Sequence, residues 1–279
     1  MPVLDKPHWL LALASLLGAW PAAAQQASPP AATPAAAASA PQRSAELRYG
    51  IALGPLPVFD VEASVRLGEA EWRIAADVTP VPAFQRAYNF ALNAAGDGRV
   101  ESRAPVPRRY VVRVATPQRQ QETQIAYTQA AGRPIQPVRA EPPARPDDLA
   151  PAALTGAVDP FAAFALLLAA AGRDGRCPAK LSIYDGYRRF DVTTQDLGRQ
   201  TPPGGPGGGV VLGNAVACSF AVDTGQEAPK ADDYLAYIGT GTLWIATNFA
   251  NAPPILVRAE AGAGPVRTVL YLRGVETGK

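Results

Sequence analysis

The stretch CPAKLSIYDGYRRFDV, Cys177 to Val192, reads as a β-hairpin. Asp-Gly between two alternating runs is the strongest short-range signal for a two-residue turn. Centred on Asp185-Gly186, that turn pairs Tyr184 with Tyr187, Ile183 with Arg188, Ser182 with Arg189, Leu181 with Phe190 and Lys180 with Asp191. Side chains alternate along a strand, so Ala179, Leu181, Ile183, Phe190 and Val192 share one face. Lys180, Ser182, Tyr184, Tyr187, Arg189 and Asp191 share the other. A one-residue slip would scramble this sorting, so the facing of the hairpin is well specified.

Outward from the hairpin, the same period of two recurs. Phe59, Val61, Ala63, Val65 and Leu67 alternate with Asp60, Glu62, Ser64 and Arg66. Trp72, Ile74, Ala76 and Val78 repeat the pattern, as do Tyr88, Phe90 and Leu92, then Tyr110, Val112 and Val114, with a weaker run at Ile125 to Tyr127. Gly96-Asp97-Gly98 reads as a turn. Strands follow the hairpin at Val216–Val222, Tyr234–Ile238, Leu243–Phe249, Ile255–Glu260 and Val266–Arg273. Strands apolar on one face and polar on the other belong to antiparallel sheets. Roughly fifteen short strands in sequence predict a meander that curls rather than lies flat. The expected fold is mainly β, an incomplete barrel or β-spiral. An outer-membrane barrel needs strands of about ten residues with an apolar outward band. Several runs here are shorter or carry mid-strand charges.

One helix interrupts the strands. Asp159 suits an N-cap and Pro160 the first helical position. Phe161 to Ala171 follows, with Gly172 as the expected stop. Apolar residues surround this helix on every side, which predicts burial of Phe161, Phe164 and Leu168, as a plug inside the curled sheet or as a helix packed over one face. The proline-rich stretch PIQPVRAEPPARPDD, Pro134 to Asp148, reads as a connection, and TPPGGPGGG, Thr201 to Gly209, as a surface loop.

Composition bounds the function. The 279 residues carry 26 basic and 24 acidic side chains, a formal charge of +2, so no nucleic-acid partner is expected. Lys6, the apolar run His8 to Trp20 and the small residues Ala22-Ala23-Ala24 form a secretory signal peptide, residues 1–24, cut after Ala24. The run is short of the roughly 20 residues of a spanning helix, so no transmembrane segment is expected in the mature chain. Residues 25–44, QQASPPAATPAAAASAPQRS, form a disordered linker, and 45–279 a single β-rich domain with strands over 45–140 and 177–275 and the helix at 159–171. An exported protein matures where disulfides persist. A Cys177–Cys218 bond is therefore expected, against free thiols or a metal pair. The only histidine, His8, lies in the signal peptide. Ser-His and Cys-His nucleophiles and His-ligated metals are thereby excluded from the mature chain.

By the hairpin the chain has shown enough to resemble a known family, the bacterial exported proteins grouped as domain-of-unknown-function family 3108. The resemblance rests on RYGIALGPLPVFDVEASVRL (48–67), LTGAVDPFAAFALLL (154–168), the hairpin itself and GNAVACSF (213–220). Tyr184 stands where that family would carry Phe. A more distant likeness is to the β-spiral envelope-integrity proteins. Both imply a periplasmic β-rich protein, and neither supplies catalytic residues.

No catalytic set, cofactor or metal site is expected. Lys180 and Ser182 share a strand face, but Asp191 beside Lys180 keeps it a charged amine rather than a base. Asp232-Asp233 reads as a turn. Tyr184, Tyr187, Arg188 and Arg189 form a candidate docking surface, since Arg pairs with carboxylate or phosphate and Tyr packs against what it holds. The expected function is a non-enzymatic periplasmic protein that binds an envelope protein or lipid component or supports envelope integrity. Its alternatives are a carrier holding a lipid or acyl chain inside the sheet, and an enzyme built on carboxylates alone.

Overall fold

The structure, a computed structural model, describes residues 43–86, 89–128, 135–141, 149–204, 213–225, 239–262 and 267–278. The expected signal-peptide segment, nearly all of the expected linker, Tyr234–Ile238 and Asp232-Asp233 lie outside the described residues.

Seven strands come first: β1 (Arg43–Leu53), β2 (Leu56–Leu67), β3 (Glu71–Pro80), β4 (Ala91–Glu101), β5 (Ala104–Ala115), β6 (Gln120–Thr128) and β7 (Gln136–Glu141). A 3-10 turn, Pro151–Leu154, leads to the helix α1 (Pro160–Asp174). Six more strands follow: β8 (Lys180–Tyr184), β9 (Arg189–Gln200), β10 (Ala215–Asp223), β11 (Thr240–Ala246), β12 (Ile255–Ala261) and β13 (Thr268–Thr277). All thirteen form one antiparallel sheet, nearly closed into a barrel. Its order is β7-β6-β5-β4-β3-β2-β1-β13-β12-β11-β10-β9-β8. Two meanders are joined where β13 returns to β1, and β7 and β8 stand at the two edges.

The sheet's faces are sorted as the alternation predicts. Tyr49 faces Val61 and Val78 across β1, β2 and β3, and Ile74, Gly96, Tyr110 and Ile125 continue the inward rows through β6. These inward apolar side chains are buried. The outward row runs Arg48, Glu62, Asp77, Asn93, Arg113, Glu122. The strands are longer than the sequence suggested, with β2 and β5 each twelve residues. Length therefore does not argue against a membrane barrel, but the charged outward rows of β1 to β6 do, because a lipid-facing band is apolar. No helix among the described residues is long and apolar enough to cross a membrane.

α1 occupies the interior, packing on β3, β4, β5 and β8. Phe161 and Leu168 are fully buried, while Phe164 is half-buried against the same core. The Phe161 ring stands edge-on to Tyr110, 5.7 Å between centroids. Asp159 caps the helix, its Oδ1 accepting from the amides of Phe161 and Ala162 at 2.9 Å each. The expected stop at Gly172 is displaced to Gly175, whose φ of +64° makes the left-handed cap. Gly172 serves packing instead: a Cβ there would lie 2.3 Å from Pro254 Cγ.

The turn expected at Gly96-Asp97-Gly98 is corrected, for these residues lie within β4. A Cβ on Gly96 would meet Phe161 Cβ at 2.8 Å, and one on Gly98 would meet the Val106 carbonyl oxygen at 2.0 Å. The glycines are there for close approach, not for a bend. The chain reverses at Ser102-Arg103, both at positive φ, between the paired Glu101 and Ala104. The proline-rich connection is likewise corrected, since β7 lies inside it. Pro137 is tolerated there because β7 is an edge strand, where a missing ladder donor costs least.

Candidate functional site

The hairpin of β8 and β9 turns one residue later than its Asp-Gly suggests. Tyr184 pairs with Arg189, Ile183 with Phe190, Ser182 with Asp191, Leu181 with Val192 and Lys180 with Thr193. The turn is therefore centred on Gly186-Tyr187, with Gly186 at φ +99°. Asp185 makes the difference. Its Oδ1 accepts from the amides of Tyr187 (2.8 Å) and Arg188 (2.7 Å), so the aspartate closes the turn with its side chain rather than occupying its centre. Its Oδ2 lies 3.3 Å from Arg188 Nη2. Relative to the expected register the partners shift by two residues, and an even shift leaves each residue on its own face.

On the Lys180 face, one carboxylate ties three side chains. Ser182 Oγ donates to Asp191 Oδ1 at 2.6 Å, Lys180 Nζ lies 2.6 Å from Asp191 Oδ2, and Arg189 Nη2 lies 3.4 Å from Oδ1. Burial acts to raise the Asp191 carboxyl, but the hydrogen bonds from Lys180 and Ser182 and the Arg189 charge outweigh it and hold the group below its ordinary value. Ser182 thus gives its proton to a carboxylate, not to an amine.

The hairpin tip points back into the molecule. Tyr184 is buried, 3% exposed, and its hydroxyl donates to the Gly186 carbonyl at 2.9 Å. That carbonyl also accepts from Arg139 Nη1 of β7 at 3.0 Å. The Arg139 guanidinium sits 5.2 Å from the centre of the Tyr187 ring, a cation–π distance. Tyr187's hydroxyl accepts from Gln121 Nε2 at 2.6 Å and lies 3.0 Å from Thr123 Oγ1, both on β6. A Cβ on Gly186 would reach Thr123 Cγ2 at 2.5 Å. Of the candidate docking residues, Tyr187 thus works on the far edge of the same sheet, while Tyr184 braces the turn carbonyl that Arg139 of β7 also engages. Arg188 is tied to Asp185, and Arg189 to Asp191 and Ser182. What the tip docks on is β6 and β7.

The other part of the seam is filled by the residues preceding α1. Val158 donates its amide to Ser182 C=O (2.9 Å) and accepts from the Tyr184 amide (2.8 Å), a parallel bridge on the free edge of β8. On the opposite side Gly156 N–H donates to Ile135 C=O at 2.8 Å, and Thr155 Oγ1 donates to Gln136 Oε1 at 3.0 Å. Asp159 lies at the inner end of this strap. Its Oδ2 accepts from Tyr127 Oη of β6 at 2.9 Å. The sequence marked Asp159 as a helix cap, but Tyr127, Arg139, Gln121 and Thr123 carried no signal of their place in the seam.

Burial raises the Asp159 carboxyl to about 6, and the hydrogen bonds from the two helix amides and Tyr127 offset only part of that. A folded value above the unfolded one stabilises the fold fully below the unfolded value and loses that contribution as pH rises through about 6. Between pH 7 and pH 5 the group should add about 1 kcal/mol. Asp159→Asn keeps the capping oxygen and should abolish this gain. Urea titrations of both proteins at the two pH values check it; equal pH dependence in wild type and variant would contradict the assignment.

Cys177 and Cys218 are disulfide-bonded, Cα to Cα 5.9 Å, and Cys218 is fully buried. The bond fastens the segment leaving α1 to β10. Among the described residues no group of three or more His, Cys, Asp or Glu is placed to hold a metal ion. An open cavity of about 420 Å³ lies beside the β3–β4 connection, lined by Thr79, Pro80, Gln85, Arg86, Asn89 and Phe90.

These features define an antiparallel β-barrel plugged by its own helix, apolar within, charged over β1 to β6 and latched along one seam. The chain belongs to the family described as "Protein of unknown function (DUF3108)", whose profile matches residues 47–271. Among solved structures it is similar to a beta-barrel-like protein of domain of unknown function DUF1849 from Brucella abortus. That match has a TM-score of 0.51 and 11% identity, covering 87% of this chain and 100% of the other. At that identity the likeness is one of fold. No curated protein matches the chain.

Proposed function

We propose that this is a non-enzymatic periplasmic protein that binds another component of the cell envelope or supports envelope integrity. The observation that carries the reading is the filled interior. With Phe161 and Leu168 fully buried inside the barrel, partners are met on the outside. The disulfide suits an oxidising compartment. A carrier of a lipid or acyl chain would need the volume that α1 takes. A carboxylate enzyme would need two acidic groups sharing a cleft. Three acidic pairs oppose each other directly among the described residues, Glu46 with Glu276, Glu62 with Asp77 and Asp191 with Asp223. Each has a member already engaged: Glu276 with Arg48 (3.1 Å), Asp77 with Asn93 Nδ2 (2.9 Å), and Asp191 with Lys180, Ser182 and Arg189.

Deletion of the gene should lower tolerance of detergent and other envelope stress, with recovery on restoring the wild-type chain. Cross-linked capture from the periplasm should return the same envelope component in replicate. Normal tolerance together with capture no better than the control would sink the proposal. Co-purification of one lipid per chain, read by mass spectrometry, would favour the carrier instead.

A further inference from the structure

Among the described residues, twelve junctions of the sheet are strand ladders, and β7 and β8 are not paired with each other. It is held by a strap and a latch. The strap, Thr155 to Val158, gives β8 two backbone hydrogen bonds and reaches the start of β7 through Gly156 and Thr155. The latch is the hairpin tip, which takes up β6 where β7 has ended: β7 pairs with Gln124 to Thr128, and Tyr187 engages Gln121 and Thr123 just beyond. In backbone hydrogen bonds among the described residues, this closure is sparser than the nine-residue register of β2 on β3. Regions with few backbone bonds open at lower free energy than the global fold.

We propose that the β7/β8 seam is a built-in opening joint, able to part and expose the N-terminal end of α1 while the β1 to β5 sheet stays folded. Parting releases Val158 from β8, Tyr127 from Asp159 and Tyr187 from β6 together, since strap, cap and latch lie along one line. What becomes accessible is the apolar interior around Phe161 and Tyr184, a surface the closed barrel hides. The joint is also biased by pH. Asp159 sits in it with Tyr127 of β6 as its titratable neighbour, and Tyr110 of β5 acts through Tyr127. No Lys or Arg among the described residues pairs with Asp159. A buried carboxyl with a raised value is more comfortable protonated, so mild acid closes the joint and neutral pH loosens it. The inference stands independently of the envelope reading.

Native-state hydrogen exchange of the full chain in sub-denaturing urea tests it. The amides of Val158 and Tyr184 should exchange at least tenfold faster than those of the β2–β3 ladder, with a shallower urea dependence. After correction for intrinsic rates, their protection should rise about tenfold from pH 7 to pH 5, a change that Asp159→Asn removes. Tyr187→Phe, which deletes the latch hydroxyl, should raise seam exchange several-fold and leave β2–β3 amides unmoved. Seam and ladder amides sharing one protection and one urea slope would overturn the joint. Seam protection indifferent to both pH and Asp159→Asn would overturn its pH bias.

Discussion

Replacing Phe161 by alanine is expected to cost about 3–5 kcal/mol, the range for removing a buried aromatic side chain. Three observations place it there. The ring is 2% exposed. It meets Tyr110 edge-on at 5.7 Å, an arrangement worth about 0.5–1.5 kcal/mol beyond the area buried. Its Cβ also rests against the bare Cα of Gly96, so the inner wall of β4 is shaped to it. The cavity cannot collapse easily, because α1 is held at one end by the cap and strap and at the other by the disulfide. For a domain of this size the loss should lower Tm by about 10 °C. Urea denaturation of Phe161→Ala, Tyr110→Phe and the double variant measures it. Tyr110→Phe keeps the ring, so its cost should add to that of Phe161→Ala. A loss below about 1 kcal/mol for Phe161→Ala would mean that the helix does not plug the barrel.

Much of this arrangement is readable in the sequence, and the unreadable parts share a cause. Period-two alternation reports which face of a strand is buried, so the inward rows through Val61, Ile74 and Tyr110 follow from local pattern alone. A meander makes neighbours in sequence neighbours in space, which is why the sheet order is simple. The Asp159-Pro160 start of α1 is equally local, while the Cys177–Cys218 pairing spans 41 residues and follows from there being only two cysteines to pair. What escapes is contact at long range. Gly96 and Gly98 look like a turn because the ring of Phe161 and the carbonyl of Val106 that require them lie elsewhere in the chain. The hairpin turn is misplaced by one residue because Asp185 closes it by side chain, and because Gly186 must pass under Thr123 of β6. Tyr187 and Thr123 are 64 residues apart, and nothing in either segment announces the other. Arg139 stands in a stretch whose prolines read as a linker. The candidate docking tip was thus visible as an unusual cluster, while its engagement with the opposite edge of the sheet was not.

Reducing the Cys177–Cys218 bond should cost about 4 kcal/mol, the chain-entropy value for a closed loop of roughly 42 residues. The two positions lie 41 apart in sequence, and the loop they close contains the whole β8–β9 hairpin. In the unfolded chain the bond holds that hairpin's ends together; in the folded one it anchors the exit of α1 to β10. The same bond therefore acts on both the plug and one wall of the seam. Tm should fall by about 8–16 °C on adding reductant. A Cys177→Ala, Cys218→Ala protein should match the reduced wild type and be blind to reductant. Serine at 218 should cost more than alanine, because the position is fully buried and a hydroxyl there must find a partner. Hydrogen exchange would show where the loss falls. The amides of β8, β9 and the last turn of α1 should lose protection ahead of β2 and β3, because only the former depend on the tether for their alignment. A melting temperature unchanged by reductant would show that the two cysteines are not bonded in the folded protein, and the anchoring of α1 would then rest on its cap, the strap and its packing against the sheet and Pro254.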